Sequence, residues 1–370
     1  MLHVLLVAGA RPNFMKIAPI VAELRRHPAE FTTTLVHTGQ HYDEAMSAVF
    51  FDQLGIPRPD VDLEVGSGSH AQQTAAIMAR FEPVLLERHP DLVAVVGDVN
   101  STIGCALVAT KLGIAVAHVE AGLRSFDRTM PEEINRLLTD QISDLLFITE
   151  RSAFENLARE GLDRAKVHFV GNVMIDTLLA HRDRARAAFD PGRFGLADEP
   201  YVVMTLHRPS NVDRAEDFDR LMSAVTTIAD EVPVIFPVHP RTRPAVMRSP
   251  LARHAVEGGR LRLMDPLGYL EFIGLLDGAS AVLTDSGGIQ EETTVLGVSC
   301  LTLRANTERP VTISEGTNRL VGTTTAGILD GWRAMRAAPP SARRPELWDG
   351  RAAQRIVDVL RTWHATSGRE

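Results

Sequence analysis

Ala281-Val282-Leu283-Thr284-Asp285-Ser286-Gly287-Gly288-Ile289-Gln290-Glu291-Glu292 decides how this chain is read. A short apolar run ends in Ser-Gly-Gly, and a helix is predicted to begin there. A strand that passes through a glycine turn into a helix is the repeating unit of an α/β fold. Such a turn also lets backbone N–H groups and the positive end of the helix converge on a phosphate, because glycine admits close approach of a ligand. Glu291 and Glu292, one turn further in, are placed to accept hydrogen bonds from sugar hydroxyls. The stretch fits a nucleotide-diphosphate clamp and, taken alone, fits an ordinary strand-to-helix turn equally well.

The same alternation runs through almost the whole chain. Strands are predicted at Val4–Ala8, Thr32–His37, Leu92–Val96, Ala115–Val119, Leu145–Ile148, Val167–Val170, Tyr201–Thr205, Val234–Val238, Leu261–Met264, Ala281–Thr284 and Cys300–Leu303. Amphipathic helices separate them, among them Ile17–Arg26, Gln72–Glu87, Ser101–Leu112, Arg151–Glu160 and Ala215–Ala229. Near-continuous apolar strands joined by helices imply parallel sheets buried on both faces. The pattern restarts after Gly171-Asn172, so the expected organisation is a Rossmann-like domain over 1–170 and a second over 171–350, with a central cleft at the carboxyl ends of their strands. A last helix, Arg351–Trp363 within 351–370, is expected to pack back on the first domain.

Composition narrows the function classes. The 370 residues are 45% hydrophobic and 23% charged, ordinary for a globular chain, and carry a formal net charge of −8. No global basic field exists to attract nucleic acid or an anionic membrane, so an anionic ligand must be held locally. Cys105 and Cys300 are isolated in apolar segments and read as buried free thiols rather than a disulfide or a metal set. The apolar start, Leu2 to Ala8, lacks a basic leader and runs into Arg11-Pro12, and no later stretch approaches about 18 apolar residues. The cytoplasm is the expected compartment.

Polar residues gather where the strands end. Gly9-Ala10-Arg11-Pro12-Asn13-Phe14-Met15-Lys16 closes the first strand and brings Arg11 and Lys16 to its mouth. Gly97-Asp98 ends the most apolar strand of the first half, and Ser101 or Thr102 is suited to cap the next helix. Asp98 is thus aimed at the cleft or belongs to the cap. In His118-Val119-Glu120, strand alternation points His118 and Glu120 to one face, with His118 deeper. Pro131-Glu132-Glu133 opens a helix, where acidic residues also suit the helix dipole. Three carboxylates, Asp98, Glu120 and one of this pair, make an acid/base cluster whose crowding is expected to raise some of their pKa values. His207-Arg208 and His239 follow successive strands of the second half. Gly66-Ser67-Gly68-Ser69-His70-Ala71 has the spacing of a dinucleotide fingerprint, but its preceding segment Val61–Val65 is short and interrupted by acids. Walker A, H-E-x-x-H and paired C-x-x-C patterns do not occur.

Together, Gly9-Ala10-Arg11-Pro12, Gly39-Gln40-His41, Gly97-Asp98, His118-Val119-Glu120-Ala121-Gly122-Leu123-Arg124, Pro131-Glu132-Glu133 with Asn135-Arg136, Gly171-Asn172, His207-Arg208, Asp285–Glu292 and Thr307-Glu308-Arg309-Pro310 resemble the non-hydrolysing UDP-N-acetylglucosamine 2-epimerases. The resemblance is collinear from about residue 2 to residue 322. It implies a glycosyltransferase-B-like fold, a homodimer, a UDP-sugar substrate and no metal or redox cofactor. It further implies interconversion of UDP-GlcNAc and UDP-ManNAc through elimination of UDP and re-addition. On the matching positions, Arg11, Lys16, Ser286, Gly287, Gly288 and Arg309 would hold the diphosphate and Glu292 the ribose, while Asp98, Glu120, Glu132 and His207 would carry catalysis. Gln40, His41, Arg208 and His239 match a second-site or cleft segment. Two positions depart from the pattern. Pro209 stands where many bacterial members have a second arginine. The segment Gln40-His41-Tyr42-Asp43 brings a carboxylate where activated members have an amide, which weighs against allosteric activation by a second UDP-GlcNAc. A hydrolysing epimerase, a 2-epimerase of another UDP-sugar such as a diacetamido-uronic acid, and a nucleotide-sugar binding protein without chemistry are the competing readings.

Overall fold

The computed structural model describes residues 1–39, 54–56, 58–196, 199–338 and 343–366. Gln40, His41, Tyr42 and Asp43 of the second-site segment lie outside the described residues. The chain forms two compact units, Met1–Ala180 with Glu346–Glu370, and His181–Pro345. Helix Val173–Ala188 carries the chain from one to the other. No described helix is long and apolar enough to cross a membrane.

The first unit is built on β1 (Leu2–Ala8), β2 (Phe31–His37), β3 (Val61–Asp62), β4 (Leu92–Val96), β5 (Ala115–Ala121), β6 (Leu145–Ile148) and β7 (Val167–Phe169), in the spatial order β3-β2-β1-β4-β5-β6-β7. All pairings are parallel. Every residue of β4 and β5 is buried, as an apolar strand covered by helices on both sides must be. Ile77, Phe81 and Leu85, spaced four apart on helix His70–Arg88, pack with Leu5, Val7, Val93 and Val95 of the sheet.

The second unit has β8 (Val202–Thr205), β9 (Val234–Pro237), β10 (Leu261–Met264), β11 (Ala281–Thr284), β12 (Ser299–Thr302) and β13 (Asn318–Leu320), ordered β10-β9-β8-β11-β12-β13 and parallel throughout. Helix Ala215–Ala229 buries Phe218, Leu221, Met222, Val225 and Ile228 on its inward stripe. Both sheets therefore reverse their winding once, between β1 and β4 in one and between β8 and β11 in the other. At such a switch point the helices after neighbouring strands leave to opposite faces, and the strand ends stay open. Each set of candidate residues gathers there.

The edge strands β3 and β13 were not expected from the sequence. Both are short, and their pairing rests on backbone bonds rather than an apolar pattern. The Gly66–Ala71 fingerprint follows the edge strand β3, away from the switch point, and Ser69 caps the next helix by accepting the N–H of Gln72. Ser101 and Thr102 do not cap their helix as expected. Ser101 bonds Thr38, and Thr102 donates to the carbonyl of Val96. Cys105 and Cys300 are free and buried.

The C-terminal helix Ala352–Thr366 belongs to the first unit and packs on helix Arg11–Arg25. The Asp176 carboxylate accepts the N–H groups of Ala352 and Ala353 at 3.1 and 2.8 Å, capping that helix from a distant part of the chain. Buried Trp348 donates to the carbonyl of Thr149 at 2.9 Å. Gly171 has φ +88°, and a Cβ there would stand 2.1 Å from the carbonyl oxygen of Leu347. Gly161 has φ +79° with open space around it. Gly161→Ala should therefore cost about 1 kcal/mol for backbone strain alone. Gly171→Ala adds a backbone clash and should lower the urea midpoint clearly further; equal losses in the two variants would refute this docking of the C-terminal segment.

Candidate functional site

In the first unit, the loops after β1, β4 and β5 converge because those strands are neighbours. Helix Arg11–Arg25 opens directly after β1, with Pro12 in its first turn. Asn13 ties that turn to β4. Its Oδ1 accepts the N–H groups of Gly9 and Ala10, and its Nδ2 donates to the carbonyl of Val96 at 3.1 Å. One turn on, Lys16 Nζ meets Glu120 Oε2 at 2.5 Å, with both side chains buried. The pair lies against Gly97, where a Cβ would be 3.5 Å from Lys16 Nζ and 3.7 Å from Glu120 Oε2.

Glu120 does not follow strand alternation. The β5–β6 register slips between Val119 and Ala121, and Glu120 sits at φ +71°, a conformation that costs a non-glycine residue strain. Its Oε1 is buried with no hydrogen-bond partner among the described residues. His118 is fully buried, with Nδ1 2.6 Å from Asp140 and Nε2 2.8 Å from the carbonyl oxygen of Gly97. Asp140 also accepts the N–H of Gly122 at 3.0 Å and Arg124 Nη2 at 2.6 Å. Burial pushes the Asp140 carboxyl up, but His118 and Arg124 outweigh it and hold the group below the usual carboxylate range. This network braces the bulge that carries Glu120.

Asp98 is not the cap of the following helix, whose N-cap is Val99 with no side-chain bond. Its carboxylate instead takes Arg136 Nη2 at 2.7 Å and Nε at 3.0 Å, and its carbonyl accepts Asn135 Nδ2 at 2.8 Å. The two glutamates at Pro131–Ile142 divide. Glu133 is buried and accepts the N–H groups of Ser125 and Phe126, the Ser125 hydroxyl and Arg136. Glu132 is only partly buried beside it. The carboxylates here are matched to cations, Glu120 to Lys16 and both Asp98 and Glu133 to Arg136, rather than crowded against one another.

In the second unit, helix Gly287–Leu296 begins directly after β11 with Ser286 as N-cap, and no side chain caps its first amides. Those amides are the open end of a helix dipole. Arg309 lies on this end: a Cβ on Gly287 would be 2.6 Å from its Nη1. Its guanidinium is held by Glu291 Oε1 at 2.7 Å and Glu308 Oε1 at 2.6 Å. Gln290 links the turn to β13 by donating to the Ser286 carbonyl and accepting from Thr307 and Asn318. Arg208 donates to the Asp285 carbonyl at 3.0 Å. The His207 and His239 ring centres are 6.3 Å apart. Asp285, absent from the expected site residues, is fully buried, receives the N–H of Arg208 at 2.9 Å and Asn211 Nδ2 at 3.1 Å, and has Oδ1 2.9 Å from His207 Nδ1. Burial pushes its carboxyl up, but His207, the Arg208 amide and Asn211 outweigh this and hold it below the usual range. Asn13 was likewise missed. Both stand inside the quoted motifs, but their partners are far away in sequence.

The family model described as UDP-N-acetylglucosamine 2-epimerase matches residues 22–361. The chain belongs to the UDP-N-acetylglucosamine 2-epimerase family. A UDP-N-acetylglucosamine 2-epimerase homolog of Methanococcus maripaludis is 43% identical over 97% of this chain and 99% of its own length. The UDP-2,3-diacetamido-2,3-dideoxy-D-glucuronate 2-epimerase of Pseudomonas aeruginosa is 40% identical over 97% of this chain and 99% of that protein. Among solved structures, the Methanocaldococcus jannaschii UDP-GlcNAc 2-epimerase in complex with UDP-GlcNAc and UDP superposes with a TM-score of 0.90 at 39% identity, covering 98% of this chain and all of that one. The glycosyltransferase-B-like α/β fold and the epimerase class agree with these relatives.

Glu292 of the epimerase helix is fully buried, and burial first, then the charge of Glu291, pushes its carboxyl from 4.5 to about 8. The folded state thus keeps a proton that the unfolded chain releases near pH 4.5. The associated stability is full below that pH and is lost as pH rises toward 8. Glu292→Gln should therefore gain in Tm relative to the parent between pH 5 and pH 9; a Tm difference that is flat with pH contradicts a neutral buried carboxyl.

Proposed function

We propose that this epimerase interconverts UDP-GlcNAc and UDP-ManNAc without hydrolysis, by eliminating UDP to a 2-acetamidoglucal and adding it back after protonation of the other face. The observation that carries the reading is the second unit's uncapped helix start with the Arg309 guanidinium laid against it. It offers N–H donors and a fixed cation to a diphosphate, with Ser286, Gly287 and Gly288 forming the turn.

The chemistry dictates a division of labour. The hydrogen at C2 is not next to a carbonyl and is not acidic enough to be removed alone. Departure of UDP from C1 must first build positive charge on the ring, which carboxylates stabilise, while cations stabilise the leaving diphosphate. The strained, buried Glu120, with one carboxylate oxygen on Lys16 and the other open, fits an acid/base or charge-stabilising role. Asp98, ion-paired to Arg136 at the end of β4, and Glu132 complete the set. Lys16 supports Glu120 and remains a candidate for the diphosphate with Arg11. Glu292 is assigned to the ribose, His207 to proton handling, and Arg208 and His239 to the neighbouring surface. The family resemblance adds a homodimer.

A second substrate has specific support. The Pseudomonas aeruginosa relative that is 40% identical is named for a diacetamido-uronic acid rather than for UDP-GlcNAc. Turnover in heavy water decides both points. Deuterium at C2 of intact UDP-GlcNAc and UDP-ManNAc is expected, whereas free ManNAc accumulating with UDP would show a hydrolysing enzyme. A kcat/KM at least a hundredfold higher on the diacetamido-uronic substrate would move the assignment there. Asp98→Asn, Glu120→Gln and Glu132→Gln should each lower kcat by on the order of a hundredfold with folding kept. Parental rates in all three would remove the carboxylates from the mechanism.

A further inference from the structure

We propose that Asp285 is a positioning residue that acts through His207, locking its imidazole with Nδ1 inward and Nε2 presented to the substrate. The inference deepens the proposed function and rests on His207 serving that reaction. The strand register brings the two residues together. β8 pairs with β11 so that Thr205 is opposite Thr284, and their hydroxyls bond at 2.6 Å. One residue past Thr284 comes Asp285, and two past Thr205 comes His207.

The Asp285 side chain is wholly buried, and three hydrogen-bond donors from the opposite loop converge on it with the His207 Nδ1 in ion-pair contact beside them. The His207 N–H approaches its two oxygens at 3.2 and 3.1 Å, the Arg208 N–H at 2.9 Å, Asn211 Nδ2 at 3.1 Å and His207 Nδ1 at 2.9 Å. An ionised carboxylate can only accept, so a ring nitrogen 2.9 Å from it is favoured to carry the proton, which places it on Nδ1. A neutral imidazole then has its lone pair on Nε2. The ring is otherwise accessible, with the His207 side chain 45% exposed, so Nε2 is the ring atom left for a ligand. Because the same carboxylate also holds the main chain of His207 and Arg208, ring and backbone are fixed as one piece. The residue after Asp285 is Ser286, N-cap of the helix proposed to hold the diphosphate. The buried negative charge additionally stabilises the imidazolium whenever Nε2 gains a proton.

Asp285→Asn keeps size and shape but sets an NH2 group where one carboxylate oxygen was. A role through His207 predicts a kcat loss on the order of tenfold to a hundredfold with KM for UDP-GlcNAc within about threefold. In a cycle with His207→Gln, the double variant should be no slower than His207→Gln alone. Losses that multiply, or an Asp285→Asn enzyme at parental kcat, would overturn the proposal. Histidine-labelled 15N NMR of the unsubstituted protein provides a readout independent of activity and of the variant's folding. It should show His207 protonated at Nδ1, with Nε2 as the unprotonated nitrogen in the neutral ring. A neutral ring protonated at Nε2 overturns the proposal even if turnover is normal. If the protein does not epimerise UDP-GlcNAc, the functional reading fails, and the NMR tautomer still decides the pairing.

Discussion

A parallel sheet whose helices cover both faces must change its direction of winding somewhere, and the candidate residues of this chain lie at or near the strand ends where it does so. Next to β1 the order turns from β2 to β4, and next to β8 it turns from β9 to β11. At those two places neighbouring strand ends release their helices to opposite sides, leaving main-chain groups and side chains exposed at an otherwise closed edge. The consequence in the first unit is Lys16 against Glu120 and Gly97; in the second it is Asp285 against His207. Neither arrangement depends on an unusual sequence of helices or on a long loop.

The charges collected at these ends are paired in detail. Arg136 serves Asp98 and Glu133, Arg309 serves Glu291 and Glu308, and Arg124 serves Asp140 and Glu160. A buried ion pair contributes little net stability, because removing both ions from water offsets most of their attraction. Their value lies in geometry. A guanidinium gripped by two carboxylates keeps one orientation, and a site that is already organised loses little entropy when a charged ligand arrives. The strained backbone of Glu120 belongs to the same economy, since the His118–Asp140–Arg124 network holds a conformation that an isolated bulge would relax.

Much of this was legible in the sequence because apolar runs are the clearest signal a buried parallel strand can give. Leu92–Val96, Leu145–Ile148, Leu261–Met264 and Ala281–Thr284 match the observed strands residue for residue. Two edge strands, β3 and β13, escaped because Val61–Asp62 and Asn318–Leu320 bury too little to need an apolar pattern. Residue type and position at a strand end singled out Asp98, Glu120 and Ser286 as candidates, while Arg309 entered only through the family resemblance. What could not be read was pairing. The slip at Glu120 breaks the period-two rule, so alternation gave no valid orientation there. Asp285 and Asn13 act through partners that come close only once the strand order is known. Ser101 and Thr102 have the residue type of a helix cap but spend their hydroxyls on other contacts.

We propose that Arg309, beside the helix after β11, holds the nucleotide, whereas Glu120, after β5, acts on the hexose. Calorimetric titration of UDP into Arg309→Ala and Glu120→Gln tests this directly. Kd should weaken at least tenfold for Arg309→Ala, equivalent to about 1.4 kcal/mol, and stay within about threefold of the parent for Glu120→Gln. Unchanged affinity in Arg309→Ala, or an equal loss in both proteins, would contradict it.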